Sequence, residues 1–409
     1  MCAMETNKTS SNTARNLLLL RNAEIVLPDQ VLSAASILIK NERISSVHPA
    51  NMRPEEDADR IHSFDGLTIF PGFIDVHIHG AVGVDTMTAN QDDLDRVSRF
   101  LAAHGVTAWL PTLVPAAVSD YARAVSAIEA LMQQQASESL PRGARVLGVH
   151  YEGPFVNASQ CGALHVAHFK SFSGVGDIEM LPVPRASGAV KMMTLAPEVP
   201  GAIELTRELV ARGWIVAIGH TRAGLEELER AFAAGARHLT HFMNAMPALH
   251  HRAPGPVGWG LTKKEVTLDL IADAVHVDPL VLQLVLRAKG PESVMLISDA
   301  IAAAGMGDGN YDIWGETISV KSGHTSNAKG SIAGSVITML DAMRLMRSLG
   351  VSEVQLAKIT STNPARLLGV DQLLGSIEVG KDADFVALAQ DGSVRFTLVG
   401  GNLVSREED

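Results

Sequence analysis

Residues 71–80 read PGFIDVHIHG, an apolar run that closes on two histidines, His77 and His79. The run reads as a strand, and on a strand positions i and i+2 point to the same side. The two imidazoles therefore make one chelating pair at a strand end. The chain changes texture here. Upstream, NLLLLRNAEIVLP, SAASILIKNERISSVHP and RIHSFDGLTIFPG are short β-like segments broken by Asn, Asp, Pro and Gly. Downstream, apolar runs alternate with amphipathic ones.

The strand candidates are FIDVHIHG, TAWLPTLV, RVLGVHYEG, VKMMTLAPE, WIVAIGHT, HLTHFMNAM, LDLIADAVHVD and SVMLISDAI. Between them QDDLDRVSRFLAAHG, VSDYARAVSAIEALMQQQA, GAIELTRELVARG and GLEELERAFAAGA have helical spacing. Strands alternating with helices in this way predict an α/β fold, a closed (β/α)8 TIM-like barrel over residues 71–370. Past Leu368 the chain turns β-like again in GSIEVGKDADFVALAQDGSVRFTLVGGNLVS. The two ends, 16–70 and 371–409, are expected to pair into one small β-sandwich domain, and residues 1–15 to be a disordered tail.

Composition narrows the function classes. The 409 residues are 46% hydrophobic and 19% charged, which suits a large core. A net charge of -11 argues against nucleic acid as a partner, which calls for a basic patch. A locally basic site for an anionic small molecule stays open. Two cysteines, Cys2 and Cys161, exclude a disulfide scaffold and fit a reducing, cytoplasmic compartment. No apolar run reaches the roughly 18 residues of a membrane span. Leu17–Leu20 is too short and too late for a signal peptide.

In a barrel of this kind chemistry gathers at the C-terminal strand ends. His77 and His79 end the first strand, Glu152 the third, His220 the fifth, His241 the sixth and Asp299 the eighth. Six such ligands exceed what one tetrahedral ion with an open position needs. They suit divalent metal, one or two ions, with Glu152 as a bridge. A single strand-end histidine is weak grounds for a metal, but six polar residues on five strand ends are not a chance scatter. His104 and His238 read as ordinary, His150 as core, and Lys191, at the start of its strand, as structural.

These motifs together resemble the amidohydrolase superfamily, and within it the N-acetylglucosamine-6-phosphate deacetylases. PGFIDVHIHG, GVHYEGPFVN, TLAPE, GHT, THFMNAMPALHHRAPGPVG, IADAVHVD, SDA and GSIAGS follow the family's order. The H-x-H pair is shared by the whole superfamily; EGPF, HFMNAM and R-x-P-G are more specific. The resemblance implies that Glu152, His220 and His241 hold a principal ion, zinc or iron, and that His77 and His79 hold a second, sharing Glu152. It implies that Asp299 is the catalytic acid/base and that His276 polarises the amide carbonyl. A metal lowers the pKa of its water from about 16 towards 7, so that hydroxide forms near neutrality. The products are then acetate and an amino sugar phosphate.

The resemblance also implies substrate contacts. Asn244 and Ala245 match contacts to the sugar phosphate, and Arg252 matches an arginine donated across a homodimer interface, whose fork suits a phosphate. Ile332, Ala333 and Gly334 match a loop along the sugar. One stretch departs from the pattern. After EGPF the family has a polar residue two positions past a glycine, for a sugar hydroxyl. Here CGALH gives Ala163 and Leu164, then His165. Either His165 reaches in or the contact is missing, which leaves glucosamine and galactosamine substrates both open. Cys161 reads as a small packing residue. Other N-acyl amidohydrolases are an alternative, opposed by HFMNAM and R-x-P-G. A non-catalytic metal-dependent sugar-phosphate-binding scaffold would be expected to have lost Asp299 or a ligand. A carbohydrate-binding module needs stacking aromatics, and these are only 4% of the chain.

Overall fold

The structure is a computed structural model that describes residues 17–50, 52, 58–138 and 141–406; the expected tail lies outside these residues. Eight parallel strands form the barrel: β1 (Phe73–Ile78), β2 (Val106–Leu113), β3 (Gly148–Glu152), β4 (Val190–Leu195), β5 (Ile215–Ile218), β6 (His238–Leu239), β7 (Thr267–Ile271) and β8 (Val294–Ile297). Neighbours pair in chain order from β1 to β8. The seam between β8 and β1 is bridged just beyond β8, where Asp299 N donates to His77 O at 3.0 Å and His79 N donates to Ala300 O at 2.8 Å. Each expected strand is one of these eight, and the four expected helices lie at Gln91–Ala103, Val118–Ser137, Ala202–Ala211 and Leu225–Ala234.

Parallel strands with helices outside are buried on both faces, which is why they read as near-continuous apolar runs rather than as alternation. Their two faces feed two cores. Ile74, Val76, Ala108, Leu110, Met192, Ala217, Ile271, Met295 and Ile297 fill the barrel interior, floored by Ala365, Leu368 and Leu374. Phe73, Trp109, Leu113, Tyr151, Met193, Leu195 and Ile218 face the surrounding helices. On β1 the phase changes. Ile74 and Val76 point inward, yet Ile78 packs outward, across a register shift between Asp75 and Ile78. A bulge of this kind turns side chains to the other face, and here it aims His77 and His79 into the barrel mouth.

Both chain ends build one further sheet of eight strands. Leu17–Val26 lies at its middle, paired with Val31–Lys40 on one side and with Arg60–Ser63 and Thr68–Pro71 on the other. Phe385–Leu388 joins Thr68–Pro71 and leads on to Val394–Val399 and Asn402–Arg406. The sheet encloses a core of its own, with Leu18, Leu20, Ile25, Ile37, Ile39, Phe64, Ile69, Phe385 and Leu398. Strand 385–388 joins the two bodies through its period of two: Phe385 and Ala387 face this core, while Val386 and Leu388 face the barrel's. Arg145 adds a polar tie, donating to Asp382 at 2.9 Å and to Asp384.

One element was not expected. After β8 a small antiparallel sheet, Gly309–Ile313, Glu316–Lys321 and His324–Ser326, packs over the barrel mouth on its own cluster of Ile301, Ile313, Ile318 and Val320. Among the described residues no helix is long and apolar enough to cross a membrane.

Candidate active site

The strand ends bring the six predicted ligands together. Glu152 lies in the middle. Its Oε1 is 2.9 Å from His220 Nε2 and 3.0 Å from His241 Nε2, and its Oε2 is 3.3 Å from His79 Nε2. His77 Nε2 stands 3.6 Å from Oε1. The donor atoms of His77, His79 and Glu152 lie within 4.8 Å of one another, and so do those of Glu152, His220 and His241. Asp299 flanks the first of these triples, with Oδ1 3.5 Å from His77 Nε2 and 3.3 Å from His79 Nε2. All six side chains are buried.

Three of the six need unusual backbone. His220, His241 and Asp299 have φ of 47°, 32° and 49°. For a residue with a Cβ this left-handed region is unfavourable by roughly 1–2 kcal/mol, and such strain gathers at functional sites. The tight turn off the strand is what swings each side chain back over the barrel axis.

Electrostatics follow from burying two carboxylates among four imidazoles. Burial holds His77 well below the ordinary histidine value. Burial alone would also lower His79 and His241, but Asp299 and Glu152 push His79 up to about 10, and Glu152 pushes His241 to about 9. Burial would raise the Glu152 carboxyl; the surrounding His77 and His220 hold it well below the usual range instead.

The donor set fits a divalent metal. The Nε2 atoms of His77 and His79 are 3.2 Å apart and those of His220 and His241 3.1 Å apart, so ring lone pairs converge in twos on one carboxylate. The Nδ1 atoms of His77, His79 and His241 are buried with no partner among the described residues. His220 Nδ1 donates to Gln160 O at 2.7 Å, which leaves its Nε2 lone pair free for an ion.

A cavity of about 150 Å³ opens onto this cluster. Ala163, Leu164, Asn244, Ala245, His276, Ile332 and Gly334 line it, together with His79, Glu152, His220, His241, Asp299, Gly162 and Trp314. Asn244 Nδ2 is a buried donor without a partner among the described residues. Three predicted residues lie elsewhere in the single chain. His165 points its Nε2 at the Trp314 carbonyl oxygen, 2.5 Å away. Arg252 is exposed. Ala333 is fully buried in the core beneath the inserted sheet, its N–H donating to Thr325 Oγ1.

The residues read as structural are so placed. His150 bridges Val76 O and Thr194 Oγ1, and burial pushes its pKa down to about 3. Lys191 Nζ caps Arg212 O. His104 meets Phe100 O. His238 is less ordinary than expected: it is fully buried against Asp269, at 2.8 Å, and Asp269 also accepts the His241 backbone N–H.

Three residues of the site escaped sequence reading. Asp273 fixes the His276 ring, with Oδ2 2.6 Å from Nδ1, and accepts the N–H groups of Val275 and His276. Its signal was the D-A-V-H spacing, which places carboxylate and imidazole one turn apart. Asp75 lies under the histidine pair and accepts Ser298 Oγ–H at 2.6 Å; burial raises it to about 7. A buried Asp two residues before H-x-H was visible. Trp314 came in on the unexpected hairpin, whose signal was the alternation of YDIWGETISV around Trp-Gly.

Comparison with known proteins agrees with this geometry. The sequence profile of the amidohydrolase family matches residues 68–404. The N-acetylglucosamine-6-phosphate deacetylase of Bacillus subtilis (strain 168) is 36% identical over 398 residues, 96% of this chain and 98% of its own. The N-acetylgalactosamine-6-phosphate deacetylase of Escherichia coli O157:H7 is 38% identical, over 83% of this chain and 89% of its own. Among solved structures, a mutant N-acetyl-D-glucosamine-6-phosphate deacetylase from Mycobacterium smegmatis, in complex with N-acetyl-D-glucosamine-6-phosphate, superposes with a TM-score of 0.84 at 31% identity, covering 95% of this chain and 99% of its own. The chain belongs to the amidohydrolase family, among its N-acetyl amino-sugar 6-phosphate deacetylases.

Proposed function

We propose that this protein hydrolyses the acetamide of N-acetylglucosamine 6-phosphate to acetate and glucosamine 6-phosphate. The observation that carries the reading is Glu152 shared between two histidine pairs, with Asp299 facing one of them in a cavity that presents the free amide of Asn244. Relatives of that name over nearly the whole chain support it.

Glu152, His220 and His241 would hold one divalent ion, and His77 and His79 with Glu152 a second; zinc or iron would suit the mixed imidazole and carboxylate set. When bound, such an ion makes water a nucleophile at neutral pH and polarises a carbonyl. Asp299 takes the proton of the attacking water as the oxygen–carbon bond forms. His276, its ring fixed by Asp273, faces the carbonyl oxygen as charge develops there. Asp299 then passes its proton to the nitrogen as the carbon–nitrogen bond breaks, so the amine leaves neutral. One carboxylate serves both steps because the proton it takes is the one the amine needs.

Asn244 and the Ala245 backbone orient the sugar phosphate, with Ala163, Leu164, Ile332 and Gly334 along the sugar. Arg252, exposed in the single chain, reaches the phosphate in the partner's site of a cytoplasmic homodimer. The same reading divides the chain into a barrel of 71–370 and an end domain of 16–70 with 371–409. The galactosamine isomer is a second reading, favoured by Leu164 on the cavity wall, which offers no hydrogen bond to a sugar hydroxyl, and by the Escherichia coli relative.

The test is acetate release from N-acetylglucosamine 6-phosphate by metal-stripped and metal-restored protein, beside the unphosphorylated sugar and the galactosamine isomer. Metal-dependent release that needs the phosphate supports the proposal and ranks the sugars. No release from any of them by metal-loaded protein refutes it.

A further inference from the structure

A hairpin inserted after β8 puts a tryptophan into the wall of the cavity. Strands 309–313 and 316–321 close through Ile313 opposite Glu316, leaving a two-residue turn of Trp314 and Gly315 with φ of 54° and 75°. Two left-handed residues in a row make the tight turn that matches strand twist. Gly adopts it freely; a tryptophan there is uncommon. The turn holds the indole edge-on to His79, ring centroids 5.1 Å apart at 83°. Behind it the wall is braced. Trp314 packs on the core of Ile301, Ile313, Ile318 and Val320, and its carbonyl oxygen is tied to His165 Nε2 of the loop opposite.

The position of this wall bears on the substrate. An amide carbon attacked in this cavity has three directions. Its oxygen goes to the polar cluster. Its nitrogen leads to the sugar, on the side where Asn244 offers a free donor. Its acyl chain takes the side that remains, and beside His79 and Asp299 the apolar surface there is Trp314. We propose that Trp314 sets the acyl-chain length the enzyme accepts: the acetyl methyl ends against the indole, and longer N-acyl chains are rejected by it. The inference rests on reading the site as an N-acyl amino-sugar phosphate hydrolase.

The experiment compares kcat/KM for N-acetyl-, N-propionyl- and N-butyryl-glucosamine 6-phosphate in the metal-loaded wild type and in Trp314→Phe, Trp314→Leu and Trp314→Ala. A braced wall cannot yield to added methylenes, and one methylene in a pocket discriminates by roughly 10–200-fold. The wild type is expected to prefer acetyl over butyryl by at least about tenfold. The ratio falls stepwise through Phe and Leu, to within about threefold in the alanine variant. A general structural lesion would slow all three substrates and leave the ratio alone. As a readout without turnover, titration calorimetry in an Asp299→Asn background should show the Trp314→Ala change favouring the butyryl ligand over the acetyl one. If Phe, Leu or any other active variant keeps the wild-type ratio, or if the wild type turns over butyryl as well as acetyl, the acyl-length role is overturned. If the wild type releases no acetate at all, the deacetylase reading itself fails, which is a different result.

Discussion

Asp299→Asn isolates the proton path from everything else Asp299 does. The backbone of Asp299 is tied on both sides, its N–H to His77 O at 3.0 Å and its carbonyl to Ser335 N at 2.7 Å. Its φ of 49° is a conformation Asn and Asp tolerate better than other residues with a side chain. Asparagine therefore keeps the size, the turn and the barrel seam, and removes the carboxylate that takes and returns the proton. General acid–base catalysis contributes about 10²–10⁴-fold, which is roughly 3–5 kcal/mol at about 1.4 kcal/mol per decade. In a steady-state assay of acetate release we expect kcat to fall by that factor, with KM within about threefold and Tm within about 2 °C. Asp299→Ala separates geometry from chemistry. It loses the same proton acceptor, and alanine at this φ adds strain of about 1 kcal/mol, so its Tm should drop while kcat is no lower than that of the asparagine variant. An asparagine variant that keeps more than a tenth of the wild-type kcat refutes the proton role. An alanine variant far slower than the asparagine one would mean that Asp299 acts through shape.

The shared carboxylate makes a stoichiometric prediction: Glu152→Gln should empty both metal positions and His77→Asn with His79→Asn only one, as read by metal analysis after dialysis; full metal content in the Glu152 variant would count against sharing. Asn244→Ala removes the free donor in the cavity, and at about 1.5–3 kcal/mol for a hydrogen bond to a charged group KM should rise roughly 10–150-fold with kcat much less changed; an unmoved KM would place the sugar phosphate elsewhere. Arg252→Ala mixed with Asp299→Asn should regain activity if each protomer completes the other's site, and a mixture no more active than its parts contradicts the shared site. His150, held near pKa 3 by burial, has a folded value below the unfolded 6.5, so its neutral ring stabilises the fold above pH 6.5 and loses that contribution as pH falls towards 3. Between pH 6.5 and 5 the loss approaches about 2 kcal/mol, and denaturant unfolding of His150→Gln should be flatter over that window; parallel curves for the two proteins would disprove it.

The barrel was legible because burial on both faces leaves its mark in every parallel strand, and because five of the strands end on a polar residue that has no reason to follow an apolar run. His77 and His79 announced a shared face through period two alone. What the period could not reveal was the bulge after Asp75, since a change of phase depends on the pairing partner rather than on the strand's own pattern. The inserted hairpin was missed for a related reason. Its strands are partly exposed, at GNYDI and ETISVK, and lack the continuous apolar signature of the barrel. His165 looked like a sugar contact because Leu164 could not be one, yet its ring meets a carbonyl that arrives some 150 residues later in the chain. Arg252 is exposed in the single chain, as an arginine expected to reach another protomer's site would be.

Several of the positions where local rules fail gather where the chemistry is concentrated; others, such as Asn22, Ala34 and Asn41, lie in the sheet built by the chain ends or at its turns. His220, His241, Asp299, Ala245 and Trp314 all hold φ between 32° and 54° and line the cavity, and Ala274, at 60°, lies two residues before the lining His276. The left-handed backbone is uncommon for any residue with a side chain, more so for Ala245, Ala274 and Trp314 than for the two histidines and Asp299. Three of these turns are held by specific bonds: Asp269 accepts the His241 N–H, Ser335 N–H donates to the Asp299 carbonyl, and Asp273 accepts the Val275 and His276 N–H groups next to Ala274. These supporting residues lie outside the cavity lining and act through the backbone they hold. Asp269 shows the dependence most plainly. It has one oxygen on the buried His238 and the other on the His241 backbone, so a pair that looks purely structural also fixes the direction of a metal-binding imidazole. Asp269→Ala should therefore reduce metal affinity without removing any ligand, while leaving the opposite pair, His77 and His79, in place.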